Sequence, residues 1–405
     1  MKKVTFIHAA DLHLDSPMVG LKHLPEPIFK RIKESTFVAL KKLTQSALEK
    51  KVDFVILAGD LFDGEDRSLR AQSRLRTEML RLEAKGIPVY VVHGNHDHLG
   101  GTWVNLDMPA NVHVFSSDVE VKTLTTKSGI AVNFYGFSYL QRHVYDRKID
   151  HYLRQEGADF HIGILHGNEG QNKMHGNYAP FYLKELLDKQ FNYWALGHIH
   201  KRTILSEHPL IVYPGNIQGR NKKETGMKGF YHVSLTELDD KLEFVESSDV
   251  IWDEAVIDAK GAKSFQDVLQ LCHVAINEYR RNNAGTLLTL HLNNIHIEDS
   301  SERRVLDGEL VELLQEEERD EESFVWIVDL TVQEELSIDK DRLKNENGFY
   351  QELLETAEGL HPEQALAALY EHSLGRKYLS PLSTEDQQQL LEKAENLLIK
   401  LLIQS

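Results

Sequence analysis

The sequence predicts an α/β layered core over roughly the first two hundred residues, then a small α+β unit and a helical tail. Three observations predict it. Apolar runs alternate with helical stretches from Lys3 to Leu196, the pattern of strands covered by helices. Short polar motifs stand just past the ends of those runs. The balance of charge then changes sign along the chain.

The strand candidates of the core are Lys3–His8, Asp53–Ala58, Pro88–Val92, Val132–Phe137, His161–Leu165 and Tyr193–Leu196. Between the first two, Ile32, Thr36, Ala39, Leu43 and Ala47 recur at helical spacing. Leu75, Met79 and Leu82 do the same before the third, and Gly86 ahead of Ile87-Pro88 is a helix stop. Leu210–Tyr213, Gly229–Leu235 and Lys241–Val245 continue the strands. Asp253–Val256, a helix near Ser264–Arg281, Thr286–Leu292, a helix near Asp307–Glu316 and Val325–Val332 make the α+β unit. From about Ser337 the chain reads as helical, with Pro362 and Pro381 as breaks. The expected divisions are residues 1–245, 246–335 and 336–405.

Length and composition agree with this plan. At about 100–200 residues per domain, 405 residues make two or three domains, and 41% hydrophobic content supplies a sizeable core. The one cysteine, Cys272, cannot close an intramolecular disulfide, which suits a reducing compartment. The apolar run after Met1-Lys2-Lys3 stops at His8 and Asp11, too short for a signal peptide. No stretch reaches the roughly 18 apolar residues of a membrane span, so a cytoplasmic protein is expected. The net charge of −17 is unevenly spread. Residues 1–235 carry 31 Lys+Arg against 25 Asp+Glu, a net +6, and residues 236–405 carry 15 against 38, a net −23. Such asymmetry marks a change of task along a chain.

The polar motifs carry the chemistry. Asp11-Leu12-His13 follows the first strand, Gly59-Asp60-Leu61-Phe62-Asp63 the second and Gly94-Asn95-His96-Asp97 the third. His166 ends the strand through Gly163–Leu165, and Gly197-His198-Ile199-His200 follows Tyr193–Leu196. Each lies past the C-terminal end of a strand, the edge of an open α/β sheet where ligands bind. Carboxylate oxygens, imidazole nitrogens and an amide oxygen suit divalent manganese, iron or zinc. Seven ligands, Asp11, His13, Asp60, Asn95, His166, His198 and His200, exceed one tetrahedral ion and fit two ions sharing a carboxylate. Such a pair lowers the pKa of a bridging water, making hydroxide available near neutral pH, and clamps entering and leaving oxygens. A phosphate ester is the substrate such a site suits. His96 is then the expected general acid, with Asp97 orienting its ring. Any one motif alone is ordinary turn chemistry; all of them in order, each after an apolar strand, are not.

These motifs resemble those of the calcineurin-like metallophosphoesterases over roughly residues 1–240. Within that superfamily the chain looks most like the SbcD-type DNA repair nucleases, on their YhaO branch. His8–Pro17, Tyr213-Pro214-Gly215-Asn216 and Gly219–Gly226 carry the finer likeness. The resemblance implies two packed sheets flanked by helices, with a small α+β cap. It implies that Asp11, His13 and His200 hold one ion, that Asn95, His166 and His198 hold the other, and that Asp60 bridges them. It further implies manganese dependence, exonuclease and endonuclease activity on DNA, a homodimer, and an SbcC-like coiled-coil ATPase docked on C-terminal helices. The chain departs from some relatives in having Asp63 where they have a second active-site histidine.

Affinity for DNA comes largely from Lys and Arg meeting phosphates. Arg220, Lys222 and Lys223 are the preferred substrate-binding candidates, with Lys201, Arg202, Arg142, Arg147 and Lys148 behind them. The acidic tail would repel DNA and fits partner docking better. Leu353, Leu354, Leu366, Leu369, Leu397, Leu398 and Leu401 could face either an ATPase or the chain's own core. Two rivals stay open: a phosphodiesterase or phosphatase for small nucleotides, and an adaptor for the ATPase with weak hydrolytic activity.

Overall fold

The computed structural model describes residues 2–18, 20–64, 68–101, 104–170, 178–295, 297, 309–319, 321–334, 348–360, 365–367, 369 and 384–403. Its first strands are β1 (Lys3–Ala9), β2 (Phe54–Ala58), β3 (Val89–Val92) and β4 (Val112–Val114). β5 (Glu120–Thr125), β6 (Ala131–Gly136), β7 (Phe160–His166) and β8 (Tyr193–Gly197) follow, then β9 (Thr203–Glu207), β10 (Leu210–Tyr213), β11 (Gly229–Thr236) and β12 (Lys241–Glu246). They form two six-stranded sheets, in the orders β12-β11-β1-β2-β3-β4 and β5-β6-β7-β8-β10-β9.

The sheets pack face to face. Phe6, Phe54, Ile56, Tyr90 and Val92 of the first meet Val132, Phe134, Ile162, Ile164 and Tyr193 of the second in one buried cluster. The outer face of the first sheet, through Ile7, Leu57 and Val91, packs on helices α1 (Glu26–Lys50) and α2 (Leu69–Glu83). The outer face of the second, through Tyr135, Leu165 and Trp194, is covered by Tyr152, Phe181 and the short helix α3 (Leu183–Asp188). This explains the sequence pattern: β2 reads Phe-Val-Ile-Leu-Ala without alternation because both its faces are buried, as in parallel sheets covered on two sides. β1, β2, β3 and β4 run parallel, as do β6, β7, β8 and β10. The two central sets therefore present C-terminal ends together.

A third, wholly parallel sheet is built from β13 (Val250–Asp258), β14 (Gly285–Ile295) and β15 (Val325–Glu334). Helices α4 (Phe265–Tyr279) and α5 (Glu309–Glu317) provide its crossovers, and its core includes the buried Cys272. Its other face, through Trp252, Leu287 and Phe324, seats on Met18, Leu24, Ile28 and Ile32 around α1. Arg31 pins the contact: its guanidinium donates to the Asp249 carboxylate at 3.1 Å and to the carbonyls of Glu321 and Glu322 at 3.0 and 2.7 Å. Helices α6 (Gly348–Glu358) and α7 (Thr384–Ile403) end the described chain. Leu354 and Ile399 are buried, whereas Leu369, Leu397 and Leu398 are exposed. Pro362, Pro381 and the Leu401 side chain lie outside the described residues.

Strands β4, β5 and β9 and helix α3 have no counterpart in the sequence reading. β4 and β5 are partly exposed and lack a buried apolar run, and α3 spans six residues, less than two helical turns.

Candidate metal centre

The seven expected ligands converge where β1, β2, β3, β7 and β8 end. The backbone bends sharply there. Asp11, His13, Asp60 and His198 all have left-handed φ, at 51°, 41°, 51° and 101°. Such conformations cost non-glycine residues about 1–3 kcal/mol each and cluster where function demands them. Backbone bonds hold the turns in place: Asp11 N–H donates to Gly59 O and His13 N–H to Asp60 O, both at 3.0 Å. The glycines between the ligands leave room for them. A Cβ on Gly94 would overlap Asp60 Oδ1 and His166 Nε2, and one on Gly59 would overlap the His166 ring.

The side chains form two adjoining sets. In one, His13 Nε2 lies 3.1 Å from His200 Nε2, and Asp11 joins them in a group whose donor atoms lie within 4.8 Å of one another. In the other, Asn95 Oδ1 lies 3.1 Å from both His166 Nε2 and His198 Nδ1. Asp60 stands between, its Oδ2 3.4 Å from His166 Nε2 and 3.8 Å from His13 Nε2.

Tautomers decide what this arrangement can hold. His166 Nδ1 meets the carbonyl of Ala58 at 3.0 Å; a carbonyl only accepts, so Nδ1 carries the proton. His200 Nδ1 meets the Glu224 carboxylate at 2.7 Å, so it too is the donor. In their neutral forms both rings therefore aim Nε2 lone pairs inward, at Asp60 and at His13. Lone pairs and carboxylates facing one another at such distances repel unless positive charge lies between them, and the residues fit a pair of cations. The buried charges respond accordingly. Burial opposes charge on His166, but Asp60 and Asp11 beside it raise its pKa to about 9. Burial raises Asp60, yet His166 and His13 hold it well below the usual carboxylate range. Burial, with Arg220 nearby, lowers His13 to about 4. Without a cation, the site draws in a proton instead.

His96 is partly exposed and lines a groove of about 660 Å³ with Asp60, Asn95, His198 and His200. The expected partnership of Asp97 with His96 is corrected. The fully buried Asp97 carboxylate accepts from Leu61 N–H at 2.9 Å and Gly94 N–H at 2.7 Å, and meets His93 Nδ1 at 2.9 Å. The carboxylate beside the His96 ring is Asp63, with Oδ1 3.6 Å from Nδ1. The carboxylate one strand earlier wins because the Gly94–Asp97 turn needs Asp97 to tie down its own backbone.

The basic candidates divide. Arg220 is pinned in the site, 3.1 Å from Asp63 and 3.8 Å from Glu224. Lys222 lies outside it, 3.6 Å from Asp329 on β15. Lys223 lines the groove, together with Lys201 and Lys228. Sequence reasoning missed Glu224, whose carboxylate gathers His200 Nδ1, Asn216 Nδ2 and Arg220 N–H at 2.7 to 2.8 Å. Burial raises it, but His200 and Arg220 bring its pKa down to about 2. Its only sequence signal was its place in the Gly219–Gly226 run.

The model of the calcineurin-like phosphoesterase family matches residues 4–202. The metallophosphoesterase YhaO of Bacillus subtilis is 42% identical over 399 residues, covering 98% of this chain and 97% of that protein. The chain belongs to the calcineurin-like phosphoesterase family. This phosphoesterase also resembles, at greater distance, proteins named DNA double-strand break repair protein Mre11. That of Methanocaldococcus jannaschii is 28% identical over 279 residues, 65% of this chain and 72% of its own. That of Thermoplasma acidophilum is 27% identical over 229 residues, 54% and 57% respectively. Metal-dependent phosphoester hydrolysis is the activity that the family and the Asp/His groups of the phosphoesterase support. Among its described residues no helix is long and apolar enough to cross a membrane.

Proposed function

We propose that this phosphoesterase hydrolyses DNA phosphodiester bonds as a manganese-dependent exonuclease and endonuclease of DNA repair. The observation that carries the reading is the inward set of lone pairs around Asp60, which calls for two cations side by side. Asp11, His13 and His200 would hold one, Asn95, His166 and His198 the other, and Asp60 both. When bound, the pair supplies Lewis acidity and a water of lowered pKa. The chain's own groups do the rest. Glu224 and the Ala58 carbonyl fix the His200 and His166 rings. His96 faces the groove with Nδ1 turned to Asp63, which leaves Nε2 to protonate the departing alkoxide. The relatives named for double-strand break repair support DNA as the substrate.

In this reading residues 1–245 are the nuclease unit, 246–335 a cap and 336–405 the docking segment for an SbcC-like coiled-coil ATPase. The exposed Leu369, Leu397 and Leu398 support that last assignment. A homodimer acting in the cytoplasm completes the proposal. The test is hydrolysis of end-labelled DNA in manganese, magnesium and zinc, beside a small chromogenic diester, with Asp60→Ala as control. Manganese-dependent cleavage of DNA, lost in Asp60→Ala, is expected. His96→Ala should keep its metals and lose about 10²- to 10⁴-fold in turnover. Cleavage of the small diester alone would replace DNA by a small nucleotide as substrate.

A further inference from the structure

Two features beside the metal centre remain without a task. The first is a row of rings leading outward from His198. Tyr178 packs on His198 with centroids 4.9 Å apart. His143 stacks on Tyr178 at 5.4 Å and 24°, and Tyr145 on His143 at 5.8 Å and 2°. Tyr145 is 67% exposed. A folded chain gains little by holding two nearly parallel rings in water, whereas an unpaired base finds in them a ready surface.

The second feature is a set of cations. Lys201, Lys223 and Lys228 line the groove beside His200 and Thr225. Among the described residues none of the three makes an ion pair, unlike Arg220 and Lys222. Lys228 is half-buried, and burial pushes its ammonium below the ordinary lysine value although Glu224 pulls the other way. Glu224 is itself already shared among His200, Asn216 and Arg220. A half-buried ammonium with no carboxylate of its own is poised for an outside anion.

We infer that the groove binds a single-stranded polynucleotide, with a base stacked on the Tyr178–His143–Tyr145 row and flanking phosphates on Lys201, Lys223 and Lys228. The inference rests on the reading of the site as a polynucleotide hydrolase and adds which side chains outside the metal centre hold the strand. The bases of an intact duplex are already stacked and offer no free face, so the aromatic row selects an unpaired strand or a frayed end. The Tyr178 ring adjoins His198, and the lysines line the groove with both His198 and His200, so the two anchors flank the same metal centre.

The test compares three substrates with the full chain in manganese: a short fluorescent oligodeoxynucleotide, the same strand with abasic residues, and bis(p-nitrophenyl) phosphate. Relative to the small diester, H143A/Y145A should lower kcat/KM on the normal strand about five- to hundredfold and change the abasic strand little. K201Q/K228Q should lower both strands and flatten the logarithmic salt dependence by about 1.4, the single-strand value for two neutralised phosphates. Equal losses on strands and small diester, or an equal effect of H143A/Y145A on both strands, would overturn the inference. So would a wild-type enzyme that cleaves the small diester and neither strand, a result that leaves the metal reading intact. Hydrolysis of none of the three would instead remove the proposed function. Fluorescence anisotropy of the strand with the same variants would still decide the inference: unchanged affinity overturns it, and the pattern above upholds it.

Discussion

Glu224→Gln keeps the shape of the residue and removes its charge. The wild-type carboxylate, ionised down to about pH 2, accepts from His200 Nδ1 at 2.7 Å and from Asn216 Nδ2 and Arg220 N–H at 2.8 Å. A glutamine can offer its oxygen to one side of this arrangement, but its NH2 then confronts the donors on the other. The His200 ring loses both its anchor and the charge that raises the basicity of Nε2. Removing such an outer partner of a ligating histidine costs about 10–100-fold in metal affinity, or about 1.4–2.7 kcal/mol. Because Glu224 touches only the His200 side, one of two manganese ions should weaken and the other should not. Titration of metal-free protein, followed by electron paramagnetic resonance of free manganese, resolves two classes of site. An unchanged pair of dissociation constants, with the variant folded, would refute the view that Glu224 sets the His200 ring.

Gly94→Ala places a methyl group against Asp60 Oδ1 and His166 Nε2; turnover and metal content should both fall at least tenfold while far-ultraviolet circular dichroism stays native. His8 is fully buried between Tyr193 Oη and Leu196 O, and burial lowers its pKa to about 3. The unfolded chain binds that proton from about pH 6.5, so stability is complete above pH 6.5 and is lost as pH falls toward 3. Between pH 7 and pH 5 the loss from this residue is about 2 kcal/mol, and denaturant titrations of His8→Gln should lack that component. Arg31→Ala strands the Asp249 carboxylate and two carbonyls. It should loosen β13–β15 by about 3 kcal/mol, read as faster hydrogen exchange there with β1–β3 unchanged.

The two-sided burial of β2, β3 and β8 was legible because a strand covered on both faces is written as an unbroken apolar run, and β1 and β7 are broken only by single polar residues such as Thr5 and His161. The ligand motifs were legible for a related reason. A parallel strand must stop somewhere, and polar residues placed immediately after five such stops have one edge at which to meet. β4, β5 and β9 were not legible, since partly exposed edge strands carry no such run. Lys228 was passed over because nothing local marks a lysine whose neighbour is a groove.

The sequence by itself determined which atoms can bind metal and on which edge they gather, because strand direction and residue type are local properties. Only the tertiary structure decided who serves whom. Asp97 stands next to His96 in the chain, yet it holds its own turn and His93, while Asp63 from another strand end reaches the His96 ring. Glu224, distant from every motif but one, fixes His200. Hydrogen-bond partners are set by distances of about 3 Å in space, and chain adjacency is a poor guide to those when loops from different sheets interleave.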